Sequence, residues 1–309
     1  MKKTISIVVP CLNEEKNIPE LIPEIKKQIP RKYNYEIIFV DDGSTDQTSQ
    51  TITRFARHDK KIKGIFLHKR FGHQAALTAG IKKASGHAVI TMDSDFQHPP
   101  KLIPKFISFW EKGYDLIQAQ KKEDHSASLL RKIERRIGYY IWNQVSGGVL
   151  IPGVSDFRLM DQKVAQYINR SPERDIFLRG LAFLGSRKPA FIKYSVPRRR
   201  HGQSNYTTKM FLNMFVNGFI SFSPFPLRVA FLLGVAITCF SALYLFIDLA
   251  VRLILHKAMI PGWVSIITIT TLMNGLTLLY LGLLGEYIGV IFREVKKRPK
   301  YIIKNLINL

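Results

Sequence analysis

The sequence predicts an α/β protein built on a mainly parallel sheet, followed by a membrane-seeking C-terminal part. Three observations predict it. Short, continuous apolar runs alternate with helix-patterned stretches through residues 1 to about 200. Acidic clusters stand directly after three of those runs. Two long, nearly uncharged segments lie close to the C-terminus.

The elements follow in order. Ile5–Pro10 holds the unbroken run Ile7-Val8-Val9, which suits a strand covered on both faces. Asn17–Gln28 has apolar residues at helical spacing. Glu36–Val40, with Ile37-Ile38-Phe39-Val40, is the second buried strand, and Asp46–His58 the second helix. Ile62–Leu67 and Ala88–Met92 are strands, separated by a helix over Gly72–Ala84. Pro100–Lys112 is a helix with prolines at its first turn, and Asp115–Ala119 a fifth strand. Alternation of this kind builds a parallel sheet flanked by helices, with ligands beyond the strand C-terminal ends. Asn13-Glu14-Glu15, Asp41-Asp42-Gly43-Ser44 and Asp93-Ser94-Asp95 all fall at such ends, so they converge on one sheet edge.

The chain has 309 residues and a formal charge of +23. That balance implies an anionic partner: a nucleotide, a nucleic acid or an anionic bilayer surface. No nucleic-acid reader motif or aromatic stacking sheet accompanies it, which disfavours nucleic acid. Cys11 and Cys239 give no disulfide framework. Met1-Lys2-Lys3 leads straight into a strand pattern, so a cytoplasmic N-terminal part is expected.

Val229 to Val251 carries only Asp248 as a charge and, at about 1.5 Å per residue, is long enough to cross a bilayer. Trp263 to Phe292 carries only Glu286. Both are expected to span a membrane. The basic stretch Arg293 to Lys300 after the second span outweighs Arg252, His256 and Lys257 in the link between them. Both termini are therefore expected inside. Lys209 to Phe222 is too short to span and reads as an amphipathic interfacial helix. The expected division is 1–206 catalytic, 207–226 interfacial helix and linker, 227–292 two spans, and 293–309 a basic tail.

No Gly-x-Gly-x-x-Gly follows the first strand, and no P-loop pattern or Cys/His metal array occurs. Two carboxylates one residue apart suit a hard, oxygen-ligated cation held against a diphosphate. Taken together, Ile7 to Glu15, Val40 to Asp46 and Asp93 to Pro100 resemble the family 2 glycosyltransferases with a GT-A fold. The likeness is strongest to the polyisoprenyl-phosphate glycosyltransferases, both dolichol-phosphate mannose synthase and bacterial undecaprenyl-phosphate glucosyltransferase.

The resemblance implies roles. Pro10, Leu12, Glu14, Val40 and Asp42 would hold the nucleotide, Asp42 at the base. Asp93, Asp95 and Gln97 would hold Mg²⁺ or Mn²⁺, with Asp95 in direct contact and Ser94 beside the donor. The plain reading of Asp41-Asp42-Gly43-Ser44 is a turn capping the helix near Asp46. Pro197 to Tyr206 is similar to a loop whose arginine, here Arg199, meets the donor diphosphate; Asn205 stands where many relatives have lysine. In Gly153 to Met160 the family places a general base, here Asp156. A lipid phosphate, with a second pKa of about 6, is already an anionic nucleophile. Asp156 is therefore read as orienting the acceptor or holding Arg158, which would clamp its phosphate; its plain reading is a helix or turn cap. The basic, helically spaced Leu129 to Ile141 brings Arg131 and Arg135 as further acceptor-phosphate ligands.

The function expected is inverting transfer of one sugar from a nucleotide sugar, taken as a UDP-sugar, to polyprenyl phosphate at the cytoplasmic face of the inner membrane. A processive polysaccharide synthase is the near rival. It would carry Gln-x-x-Arg-Trp, and Trp110, Trp142 and Trp263 do not lie in that setting. A non-catalytic nucleotide-sugar-binding adaptor is the distant rival, opposed by the intact Asp93/Asp95 pair. A homo-oligomer stays open, because two spans are few for a monomer.

Overall fold

The computed structural model describes residues 2–122, 153–171, 178–197, 230–237, 262–296 and 298–309, with a few further positions between 227 and 247. The chain divides into two compact units, one of Met1–Thr207 with Arg298–Leu309 and one of Thr208–Lys297.

The first unit is an eight-stranded sheet. Its strands are β1 (Thr4–Cys11), β2 (Asn34–Asp41), β3 (Ile62–Leu67), β4 (Ala88–Thr91), β5 (Leu116–Lys121), β6 (Val154–Asp161), β7 (Pro189–Tyr194) and β8 (Ile303–Ile307). The order is β7-β5-β6-β4-β1-β2-β3-β8. The strands β4, β1, β2 and β3 run parallel, and β5 pairs with β7 in parallel. The strand β6 is antiparallel to both β4 and β5, and β8 is antiparallel to β3.

The helices are α1 (Asn17–Gln28), α2 (Thr48–His58), α3 (His73–Lys83), α4 (Ile103–Glu111), α5 (Gln162–Arg170) and α6 (Leu178–Leu184). A single 3₁₀ turn over Pro100–Leu102 leads into α4, with Pro100 at its first position as the sequence predicts. One core layer joins α1, α2 and α4 to the sheet through Ile18, Leu21, Ile52 and Phe106. The other joins α3, α5 and α6 through Leu77, Val164 and Leu181. The central strands are thus covered on both faces, which is why Ile7-Val8-Val9 and Ile37 to Val40 read as unbroken apolar runs.

Two differences from the sequence reading stand out. The residues around Asp156 form a central antiparallel strand, where a cap is the plain sequence expectation. The 293–309 segment, expected as a basic tail, contains β8. Asn308 (φ 61°) anchors its end by donating from Nδ2 to the carbonyls of Ala56 and Ile62 at 2.6 and 2.9 Å. Leu306 and Ile303 pack on the α3-side core, which offsets the cost of ordering this stretch.

The second unit contains α7 (Trp263–Val295), 33 residues long. Within it Leu272–Phe292 has mean hydropathy 1.7 and none of that window is buried, so it is long and apolar enough to cross a membrane. Of the described helices it is the one that meets that standard. The interfacial helix expected at 207–226 lies outside the described residues, and the first span is described only over 230–237 and at a few further positions.

Away from the functional edge, Glu36 is a buried carboxylate. It accepts from Ser6 Oγ (2.5 Å) and Ser85 N (2.7 Å), and pairs with Lys63 Nζ at 2.6 Å. Burial alone would raise its pKa, but Lys63, Ser6 and Ser85 outweigh burial and hold it below the ordinary value of 4.5. A depressed folded pKa stabilises above the unfolded value, and that contribution is lost as pH falls below about 4.5. Glu36→Gln should lower stability by about 1–3 kcal/mol at pH 7, and by clearly less at pH 4. Thermal melts of both proteins at the two pH values test this.

Candidate active site

The strands β4, β1 and β2 are neighbours, so their C-terminal loops meet, as the parallel pattern predicts. The first two loops are stitched together. Asn13, with φ 58°, accepts from Thr45 N at Oδ1 (2.9 Å), and its own N–H donates to Ser44 Oγ (2.9 Å). Glu14 N–H donates to Thr48 Oγ1 (2.8 Å), and Gln47 N–H to Glu15 Oε2 (2.9 Å). Asp41 accepts from Ser44 N (2.9 Å) and from Ser49 Oγ, so it holds the turn and the first helical turn of α2.

Asp42 faces the other way. Its two carboxylate oxygens accept from the backbone N–H groups of Phe71 (2.7 Å) and Gly72 (2.9 Å). Burial raises its pKa, against the opposing pull of those amides and of Arg70. The approach is close: a Cβ on Gly43 would lie 2.7 Å from Arg70 N. Gly72 takes φ 98° and ψ 158°, a conformation open almost only to glycine. The two aspartates of this motif therefore divide the work, one for its own turn and one for the segment that starts α3.

That segment delivers His73. Its Nε2 lies 2.9 Å from Asp93 Oδ1, and its Nδ1 is 3.9 Å from Asp156 Oδ2. Burial would lower the His73 pKa, but Asp93 and Asp156 outweigh it and raise it. Asp93 N–H donates to His98 Nδ1 (2.9 Å). The receiving nitrogen must be unprotonated, so His98 is the neutral Nε2–H tautomer. Burial holds its pKa down despite Asp93, in keeping with that role. The His98 ring stacks on Phe157 with centroids 5.0 Å apart. Burial would raise the Asp93 carboxyl; with His98 neutral, the hydrogen bond and charge of His73 oppose burial and hold Asp93 below the ordinary carboxylate value.

The register of β4 and β6 pairs Thr91 with Arg158. Continued by two residues, it sets Asp93 opposite Asp156. Asp156 is buried, and its carboxylate receives Arg158 Nη2, Arg179 Nε (3.2 Å) and Nη2 (2.9 Å), and Gln74 Nε2 (3.3 Å). Burial is outweighed by the two guanidiniums, which hold it far below the ordinary carboxylate range. Arg158 is itself buried, with Nη1 donating to the Leu178 carbonyl (3.0 Å). Where the sequence reading has Arg158 clamp an acceptor phosphate, the structure has it at 1% exposure with its fork turned to Asp156 and α6.

The other expected residues fall as follows. Asp95 is buried and accepts from Gln97 N at Oδ1 (3.0 Å), so Gln97 meets Asp95 through its backbone. Phe96, between them, is held at φ 65°, an uncommon state for a bulky residue. Ser94 is buried against Cys11. Pro10 and Val40 are paired in register at the ends of β1 and β2, and the Val40 side chain is buried in the α3-side core. Leu12 is half-buried at the β1 loop, and Glu14 accepts from Asn17 Nδ2. Arg131, Arg135 and Arg199 lie outside the described residues. His73, Gln74, His98 and Arg179 escaped the sequence reading. The one signal for the first two was Phe71-Gly72-His73-Gln74, polar residues at the start of an otherwise apolar helix.

Among the described residues no three His, Cys, Asp or Glu side chains gather into an all-protein metal cage. Two adjacent carboxylates fit a hard cation that completes its shell with phosphate oxygens and water.

The profile of the family described as Glycosyl transferase family 2 matches residues 6–168. The chain belongs to that family. An uncharacterised glycosyltransferase of Bacillus subtilis is 36% identical over 97% of this chain and 93% of its own length. The prophage-derived bactoprenol glucosyl transferase of Shigella flexneri is 35% identical, covering 97% of each chain. The prophage bactoprenol glucosyl transferase homolog of Escherichia coli is 32% identical over 98% of this chain and 99% of that one. The protein is therefore a glycosyltransferase with a GT-A-like α/β fold, its mainly parallel sheet carrying the family 2 motifs at one edge.

Asp156→Asn removes the charge that balances buried Arg158. It should cost about 3–5 kcal/mol of stability, the usual penalty for stranding a buried charge. Urea unfolding of the variant beside the wild type measures it; a loss below about 1 kcal/mol would contradict a charge-bearing role for this pair.

Proposed function

We propose that this glycosyltransferase moves one sugar from a UDP-sugar to the phosphate of a polyprenyl carrier at the cytoplasmic face of a membrane, with inversion at the anomeric carbon. The observation that carries the reading is the meeting of two anion-handling centres at one sheet edge. Asp93 and Asp95 follow the end of β4, and the arginine-held Asp156 sits opposite on β6. The first suits a sugar diphosphate, the second a phosphate monoester. The names of the bactoprenol relatives, which match along nearly the full chain, support the carrier class. The apolar window of α7 and the basic residues after it support a membrane setting with the C-terminus inside.

In this scheme an oxygen of the lipid phosphate attacks the anomeric carbon. The bond from that carbon to the donor diphosphate breaks, and the nucleoside diphosphate leaves with the electron pair. Because the phosphate is largely dianionic at neutral pH, no proton need be removed. Asp156, held deprotonated by Arg158 and Arg179, serves as a positioning group and not as a base. Asp95 and Asp93 would hold Mg²⁺ or Mn²⁺, which when bound would neutralise charge on the departing diphosphate. Asp93 is aimed by His73 and His98. The loops of β1 and β2, cross-linked through Asn13, would hold the nucleoside, and Arg199 would meet the diphosphate.

A panel of radiolabelled nucleotide sugars with undecaprenyl phosphate and either metal tests the reading. One nucleotide sugar should label the lipid with a single sugar; a growing polymer would point to a processive synthase. The purified product should have the anomeric configuration opposite to the donor's, and retention would rule out a single displacement. Asp95→Asn should lower transfer at least about a hundredfold while the fold, followed by circular dichroism, is kept. Undiminished transfer would remove Asp95 from the chemistry.

A further inference from the structure

We propose that the side-chain oxygen of Gln74 recognises a hydroxyl of the donor sugar, an inference that rests on the reading of donor and acceptor given above. The first two residues of α3 reach two facing carboxylates. His73 Nε2 lies 2.9 Å from Asp93 Oδ1, and Gln74 Nε2 donates to Asp156 Oδ2 at 3.3 Å. Asp156 is held as a carboxylate by two guanidiniums, so it can only accept, and the nitrogen of the Gln74 amide must be the end that faces it. The orientation of the amide is thereby settled, and Oε1 is turned away from Asp156. That oxygen is buried and accepts no hydrogen bond among the described residues. An unpaired buried acceptor is costly, and folded chains keep few of them. Gln74 as a whole is half-buried, so a ligand reaches its amide through a side-chain adjustment, without a change of backbone.

Chemistry selects the partner. An amide oxygen needs an O–H or N–H to accept from. The donor diphosphate and the lipid phosphate, largely dianionic at neutral pH, offer acceptors. The nucleobase has N–H groups, but the proposed reading lays it over the β1 and β2 loops, with β4 between them and β6. The hydroxyls of the sugar remain, and their place agrees. In that reading the diphosphate is held at the end of β4 and the acceptor arrives beside β6, so the sugar ring lies between. Gln74 stands at that interval, with its neighbour His73 bonded to the β4 side and its own amide bonded to the β6 side. Its backbone is well held: Asp42 accepts from the amides of Phe71 and Gly72, and Thr78 Oγ1 donates to the Gln74 carbonyl at 2.7 Å. A recognition group fixed in this way selects among sugars, because a missing or misplaced hydroxyl leaves the buried oxygen unpaired.

The test uses the full-length chain in detergent, undecaprenyl phosphate, the nucleotide sugar found in the panel, and monodeoxy analogues of that donor, each lacking one hydroxyl. Gln74→Met keeps the length of the side chain and removes the amide. With the complete sugar it should lower kcat/KM for the donor about fivefold to tenfold, the size of one neutral hydrogen bond. One monodeoxy donor should cost the wild type a similar factor and then be used equally, within about twofold, by wild type and variant. The other monodeoxy donors should keep the full difference between the two enzymes. A residue that only supports Asp156 would lose the same factor with every donor, and that result overturns the assignment. A raised Mn²⁺ requirement shared by all donors overturns it too, since it would put a metal-bound water on the oxygen, as does no change at all. If Gln74→Met does not fold, as judged by its melt, Gln74→Asn withdraws the amide by one carbon and is read by the same comparison. A wild-type enzyme that sugar-labels no undecaprenyl phosphate sinks the acceptor reading itself, and the panel shows that before any variant is made.

Discussion

The site depends on one carboxylate staying ionised inside the protein. Asp156 sits on a central strand, shielded from water, where an unpaired charge would be far too costly to keep. Its own strand supplies the first partner, because residues two apart share a face. Asp156 and Arg158 therefore lie together on the face that packs against α3, α5 and α6, while Phe157 turns to the other core and stacks on His98. That pairing recruits the rest. Arg158 binds Leu178, so α6 is placed; α6 brings Arg179; α3 brings His73 and Gln74. A carboxylate so surrounded has little affinity for a proton.

The β1 and β2 end of the edge is tied to this centre through the backbone. Asp42 binds the amides of Phe71 and Gly72, Gly72 adopts a conformation that side chains resist, and the next residue is His73. His73 in turn lies against Asp93 and near Asp156. A displacement of the β2 loop would thus be felt at the carboxylates of β4 through three consecutive residues. The connection is stiff because each step is a hydrogen bond to a group whose direction the backbone fixes.

How much of this was legible follows from which strands are parallel. The strands β1 to β5 and the helices between them announce themselves, because strands buried on both faces must be apolar throughout and acids at their ends are conspicuous. The Asp-x-Asp motif and its neighbours at the β1 and β2 ends were read correctly in place. The strand β6 was harder, because Ser155, Asp156 and Arg158 break the apolar run that normally marks a central strand. Their charges cancel in three dimensions, and a linear pattern cannot show cancellation. Arg179 is one arginine among many in a basic chain, and nothing local separates it. The strand β8 is invisible for another reason: its apolar run is short and broken by Lys304 and Asn305, and its partner strand lies more than two hundred residues earlier.

The sheet order gives these residues a direction that their sequence positions lack. Chain order is Asp42, His73, Asp93, Asp156, Arg179, but in space β1 lies between β2 and β4, and β6 lies beyond β4. In the proposed reading, a donor laid along that edge would have its nucleoside over the cross-linked β1 and β2 loops and its reacting carbon toward β6. The polarity of β6 then matters. Running antiparallel, it brings the beginning of the strand, not its end, to the active edge, so Asp156 arrives from the opposite direction to Asp93 and meets it across the register. A parallel strand there would have ended at the edge with Asp161, leaving Asp156 and Arg158 well down inside the sheet. The reversal puts a buried charge pair beside the carboxylates of β4, and it lets the same pair fix the helix whose first turn stands at the margin.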